Sequence, residues 1–249
     1  MRGALAALAV LLTSPSLAGE PPSSVAGRPI ACNPPLDRPL RLIVTQHLWP
    51  NWGGSATVTL TRILIFRENA DGLSVEMRLT GADTDQTDPA VRARMLMAYG
   101  GLDERPLVVR LDTTIGIAGI DDLAAHWAEY RRRQAQVVEA MVRSGQSNGR
   151  AEQLLRMVDA MPPNQQVAVL ADFLIPVIRH CGVVAPDGAT ASEGALRMTE
   201  QSDQNGVRDV SDYIVDVRTG LLRSLRHSMT SASQPLRPLR EEWTLAPGN

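Results

Sequence analysis

Residues 73–80, Leu73-Ser-Val-Glu-Met-Arg-Leu-Thr80, alternate without a break. Leu73, Val75, Met77 and Leu79 fall on one side, with Ser74, Glu76, Arg78 and Thr80 on the other. A period of two places successive side chains on opposite faces of a strand, so this stretch predicts a strand with one buried face. One-faced strands belong to antiparallel sheets. The same pattern recurs outward in both directions. Over residues 56–68, Val58, Leu60, Leu64 and Phe66 share a face against Thr57, Thr59 and Thr61. Over 41–48, Leu42, Val44 and Leu48 share a face, with Gln46 between them. Downstream, 106–112, 195–199, 207–217, 221–230 and 240–245 are further strands.

Helical periodicity fills the middle. Asp88 caps a helix with Pro89 in its first position, running to about Tyr99 and ended by Gly100-Gly101. A long amphipathic helix starts at Asp121 or Asp122 and reaches Arg143, with Leu123, Trp127, Tyr130, Val137 and Met141 on one stripe. Arg131, Arg132 and Arg133 lie mostly off that stripe and form a solvated face. A second helix spans 150–161, with Leu154, Leu155, Val158 and Met161 inward, and Pro162-Pro163 breaks it. Asn164 then caps a third, to about Ile175. Strands on both sides of a helical insert (about 121–180) predict an α+β fold. Its curved antiparallel β-sheet is formed by the N- and C-terminal strands, with the central helices packed on one face.

The N-terminus has the form of a secretory signal peptide over 1–18: Arg2, an apolar run from Ala4 to Leu12, and Ser16-Leu17-Ala18 as cleavage site. A loose leader over 19–39 and a single domain over 40–249 follow. The expected location is periplasmic or secreted, after cleavage near Ala18. No later run is apolar enough for a membrane span. A net charge of −2 offers no basic field for nucleic acid. All 25 basic residues are arginine, which excludes Schiff-base, P-loop and Ser-Lys chemistry.

Cys32 and Cys181 are the two cysteines, and in an oxidising compartment they form a disulfide. The weaker alternatives are a lipoprotein cysteine at Cys32, which Pro29 in the place of a lipobox leucine argues against, and a thiol–imidazole pair of Cys181 with His180. Three stretches share one spacing: Glu68-x-x-x-Gly72-Leu73, Asp112-x-x-x-Gly116-Ile117 and Asp216-x-x-x-Gly220-Leu221. They predict hairpin turns in which the acid accepts turn N–H groups and Gly supplies positive φ.

"RPLVVRLDTTIGIAGIDDLAAHW" (105–127) resembles the centre of certain exported bacterial β-rich proteins of unknown function. "YIVDVRTGLLRSLRHSMT" (213–230) and "EEWTL" (241–245) resemble their closing strands. Similar curved sheets with helices on one face occur in envelope carriers of lipids and lipoproteins. The resemblance implies a periplasmic β-rich fold and carries no catalytic residues.

Two motifs bear on activity. Gly145-Gln-Ser147-Asn-Gly149 spells the G-x-S-x-G of a nucleophile elbow, with Asp172 or Asp187 and His227 as nominal partners. An elbow needs a preceding strand, whereas here a helix precedes, so the stretch fits a helix-to-helix turn. "QHLWPNWGG" (46–54) places His47, Trp49, Asn51 and Trp52 in the connection between the first two strands, a candidate binding loop. The scattered histidines and the absence of C-x-x-C or H-E-x-x-H give no metal site, and no cofactor is expected. The functional expectation is a non-catalytic envelope protein. Its candidate partners are a hydrophobic ligand, held in a cleft between sheet and helices, or another envelope protein. An interaction module and a serine hydrolase using Ser147 are the alternatives.

Overall fold

The computed structural model describes residues 23–24, 27–49, 55–70, 72–98, 105–143, 150–232 and 237–248. The signal-peptide segment, the Gly145–Gly149 stretch with Ser147, the Gly100-Gly101 pair, and Asn51 and Trp52 lie outside them. In chain order the strands before the insert are β1 (Ser23–Ser24), β2 (Pro39–Leu48), β3 (Ala56–Asn69), β4 (Gly72–Thr84), β5 (Leu107–Leu111) and β6 (Ile117–Ile120). Helix α1 (Pro89–Ala98) joins β4 to β5. The insert contains α2 (Leu123–Arg143), α3 (Arg150–Asp159), α4 (Pro163–Leu170) and α5 (Ile175–Ile178). The chain closes with β7 (Thr190–Ser192), β8 (Ala195–Gln204), β9 (Val207–Asp216), β10 (Leu222–Ser231) and β11 (Leu239–Pro247).

All eleven strands form one sheet, in the order β1-β7-β8-β9-β10-β11-β2-β3-β4-β5-β6. Neighbours pair antiparallel throughout, and β11 zips onto β2 with Trp243 opposite Val44. The last strand therefore joins the two halves of the sheet at its centre. This order also explains the insert. Strand β6 is one edge and β7 lies beside the other, so the chain between them must cross the sheet. It crosses as helices, which satisfy their own backbone groups. Ala171, Leu174, Val177 and Ile178 enter the same core as Leu42, Val44, Leu64 and Phe66. Met95 of α1 packs with Ala56, Val58, Leu60 and Leu79 on the same sheet face.

The alternation holds from Val75 to Thr80, with Val75, Met77 and Leu79 buried and Phe66 and Leu64 across the ladder fully so, but at its start Ser74 is buried and Leu73 only half-buried. The strand runs four residues further, to Thr84, because a bulge intervenes. Arg62 pairs with Leu79 and Thr61 with Gly81, leaving Thr80 unmatched. A bulge shifts the pleat by one residue. Ala82 and Thr84 thus return to the buried face opposite Leu60 and Val58.

Asp88 caps α1, accepting from the N–H groups of Ala90 (2.8 Å) and Val91 (3.1 Å). The predicted cap at Asn164 is wrong. Helix α4 starts at Pro163, with Pro162 as the capping residue. Proline suits a first helical position because its missing N–H would find no helical partner there. The segment to Ile175 also divides, into α4 and a short α5. The leader is not loose from Gly27 onward. Gly27 donates to Ala185 O, Ile30 to Val183 O and Asn33 to Thr219 O, and the Cys32–Cys181 disulfide closes the clasp.

The turn motif holds at two of its three positions. Asp112 accepts from Thr114 N–H (2.7 Å) and Gly116 N–H (2.9 Å). Asp216 accepts from Arg218 N–H (2.9 Å) and Thr219 N–H (3.1 Å). Glu68 instead sits in the ladder opposite Leu73, and the reversal lies between Asn69 and Gly72. The role given to Gly116 also needs correction. The positive φ belongs to Ile115. At Gly116 a Cβ would lie 2.8 Å from Asp112 Oδ2, so a larger residue would have to displace the carboxylate that caps the turn.

Candidate functional site

The face of the sheet that meets the helices is not uniformly apolar. On β3 its row reads Ala56, Val58, Leu60, Arg62, Leu64, Phe66. Arg62 thus stands among leucines, opposite Leu42 on β2 and Leu79 on β4, at the bulge. Its guanidinium lies 3.4 Å from the ring centroid of Phe173, which follows α4. Arg62 Nη1 is out of reach of solvent.

Around Arg62 a pocket of about 150 Å³ opens between sheet and helices. Met77 and Leu107 form its floor, Tyr130, Arg133 and Gln134 of α2 one wall, and Val169, Leu170 and Phe173 another. His126 and Arg105 complete it. Burial pushes the Tyr130 phenol up, so it stays a neutral hydrogen-bonding group. Arg131 and Arg132 are solvated as expected, paired with Asp159 and Glu129. Arg133 is the exception. Its side chain is turned in at 23 % exposure, held by Glu129 at 3.0 Å.

Further along the same face lies a polar row. Glu241 accepts from Gln46 Nε2 (2.7 Å) and Trp243 Nε1 (3.3 Å). His227 bridges two carboxylates, with Nδ1 at 3.4 Å from Glu241 and Nε2 at 3.0 Å from Asp209. Its hydrogen bond to Glu241, aided by the negative charge of both partners, raises the imidazole pKa against the opposing effect of burial. Burial resists ionisation of Glu241, but hydrogen bonds from His227, Gln46 and Trp243 outweigh it and hold its pKa low. Asp172 is pushed up by desolvation and by Glu241, with Arg62 pulling the other way. The two groups of charges are therefore electrically linked.

A folded-state pKa above the ordinary histidine value of about 6.5 means His227 stabilises the fold fully below that value. The contribution is lost as pH rises through the raised folded value. His180 works in the opposite sense, because burial lowers its pKa. The comparison must therefore isolate His227. Between pH 6 and pH 8 the melting temperature of the parent should fall more steeply than that of His227→Gln. Parallel profiles would remove the proton-linked role.

The other nominated residues are placed as follows. His47 Nδ1 meets Thr57 Oγ1 at 3.2 Å. Trp49 is 41 % exposed, and its indole donates to Pro238 O at 3.1 Å. Both border a recess of about 350 Å³ with Pro238 and Arg240, away from the helices. Cys181 is bonded to Cys32 and has no thiol, which removes the Cys181–His180 pair. The His180 ring packs edge-on to Tyr213 at 4.6 Å. His227, the nominal base for Ser147, has both ring nitrogens engaged by carboxylates. Among the described residues no group of three His, Cys, Asp or Glu side chains could hold a metal ion. In the same residues no helix is long and apolar enough to cross a membrane.

A larger recess of about 650 Å³ lies on the opposite sheet face. Its polar side chains answer one another: Thr199 donates to Asp212 at 2.7 Å, and Arg226 lies 4.0 Å from Glu242. It has the character of a solvated, twisted sheet surface.

Reasoning from sequence missed Arg62, His227 with Glu241, and Arg133. The signal for Arg62 was present: a charge at an even position of an otherwise apolar row. In comparisons with known proteins, no family model matches the chain and no curated protein is significantly similar to it.

Proposed function

We propose that the protein is an exported, non-catalytic binding protein that holds a small hydrophobic or amphiphilic ligand between its sheet and its helical layer. The observation that carries this reading is the pocket around Arg62. It joins apolar walls (Met77, Leu107, Leu170) to a few convergent polar groups, the usual make-up of a ligand site. The Cys32–Cys181 disulfide suits an oxidising compartment and supports export.

The test is native mass spectrometry on protein purified from its own envelope fraction. A bound small-molecule mass, released by organic extraction, is the expected result. A bare protein mass, together with no uptake of the apolar fluorophore N-phenyl-1-naphthylamine, would end the proposal. The exposed Trp49 at its recess supports a second reading, docking of another envelope protein. A co-purifying polypeptide whose retention is lost in Trp49→Ala would favour it instead.

A further inference from the structure

We propose that the pocket takes the head group of an anionic amphiphile, a phosphate or carboxylate on an apolar tail, with Arg62, Arg105 and Arg133 as its charge partners. This rests on the ligand-binding reading above and specifies its chemistry. Among the described residues that line the pocket, eleven in all, three are arginines and none is acidic. Two carboxylates stand just outside. Glu129 holds Arg133 at 3.0 Å, and Asp172 is near enough to Arg62 to be affected by its charge. Among the described residues, three guanidinium groups and His126 thus line the pocket, with Glu129 and Asp172 at its margin. The chain as a whole carries −2, so this positive concentration is local.

The placement of Arg62 is the second, independent observation. Leucine at this position would continue the row of Leu60 and Leu64 and bury more apolar surface. Keeping a cation there costs desolvation. The bulge at Thr80 lies on the strand beside Arg62, where the ladder pairing is interrupted. The flat guanidinium rests on Phe173, and Arg62 is among the residues that line the pocket. A guanidinium edge matches two oxygens of a phosphate or carboxylate at once. Tyr130 and Gln134 add uncharged hydrogen-bonding groups.

Size limits what enters. A volume of about 150 Å³ is below the roughly 300–1,000 Å³ of sites that enclose a whole ligand. It suits a head group and its first carbons. The tail would then follow the apolar wall of Met77, Leu107, Val169 and Leu170 under the helices.

Isothermal titration of the disulfide-bonded protein with decyl phosphate, decanoate, decanol and inorganic phosphate separates the terms. Both anionic amphiphiles should bind at least about tenfold more tightly than decanol at low salt. That advantage should shrink as ionic strength rises. Arg62→Met should abolish most of it. Arg105→Gln, at an exposed position, should reduce it without endangering the fold. Arg226→Gln, on the far face of the sheet, should leave it unchanged. Decanol binding as tightly as decyl phosphate overturns the head-group assignment while the ligand-binding reading stands. Inorganic phosphate binding as tightly as decyl phosphate overturns the amphiphile. No binding of any of the four overturns the underlying reading as well.

Discussion

Replacing Cys32 and Cys181 together by Ala is expected to lower the unfolding free energy by about 4–5 kcal/mol, near the upper end for one disulfide. The reason is the separation of the pair, 149 residues. A cross-link that closes so long a loop removes many conformations from the unfolded chain. The logarithmic dependence on loop length gives about 5 kcal/mol for this span. On the folded side the bond costs little to accommodate, because the backbones are already aligned. Ile30 donates to Val183 O, and Ala185 donates to Arg28 O. Without the bond, these hydrogen bonds and the buried side chain of Ile30 must hold residues 27–33. The measurement is the urea midpoint of oxidised parent and double variant, compared at equal slope. A midpoint within error of the parent would mean that the clasp alone fixes this segment.

How far the sequence carries the fold depends on which physical signal each element uses. Strands β2, β3 and β4 declare themselves, because one wet face and one dry face impose a period of two. Strand β6 is only four residues long, and β7 only three, too short to show a period at all. Each completes a hairpin with a neighbouring strand, β5 for β6 and β8 for β7, and only the β1–β7 pairing reaches far along the chain. The full length of β4 was hidden for a different reason. The bulge at Thr80 reverses the alternation, so Ala82 and Thr84 fall out of phase although they continue the strand. The capping reading succeeded at Asp88 and failed at Asn164, where Pro162 and Pro163 already supply the helix entry.

The site was legible only in fragments. Arg62 broke an apolar row, and such a break identifies a position without its neighbours. Phe173 and Arg133 join Arg62 only because the insert must cross from one edge of the sheet to the other, while Arg105 arrives just before β5. That crossing is a consequence of strand order, which no local pattern encodes. The same applies to His227, whose partners Asp209 and Glu241 come from the strands on either side of β10. The nominated loop, by contrast, was visible as composition, and its described residues His47 and Trp49 line a different recess from the arginine pocket.

Gly220→Ala is expected to destabilise the protein by roughly 3 kcal/mol or more, a large effect for one methyl group. Two penalties act together. Gly220 has φ of +74°, a conformation that an L side chain resists. A Cβ there would also overlap the Ala31 carbonyl oxygen and lie 3.3 Å from Cys181 Cα. The obstructing atoms are backbone on both sides of the disulfide, so no rotamer change relieves them. Relief requires the 30–33 segment to move away, which the disulfide and the Asn33 N–H to Thr219 O bond (3.0 Å) oppose. This dependence predicts non-additivity. In the Cys32→Ala, Cys181→Ala background the segment is released, and Gly220→Ala should cost less by about 1 kcal/mol or more. A double-mutant cycle from urea unfolding measures that coupling. Strict additivity would show that strain at residue 220 acts through φ alone, and that the close approach to Ala31 is relieved without opening the clasp.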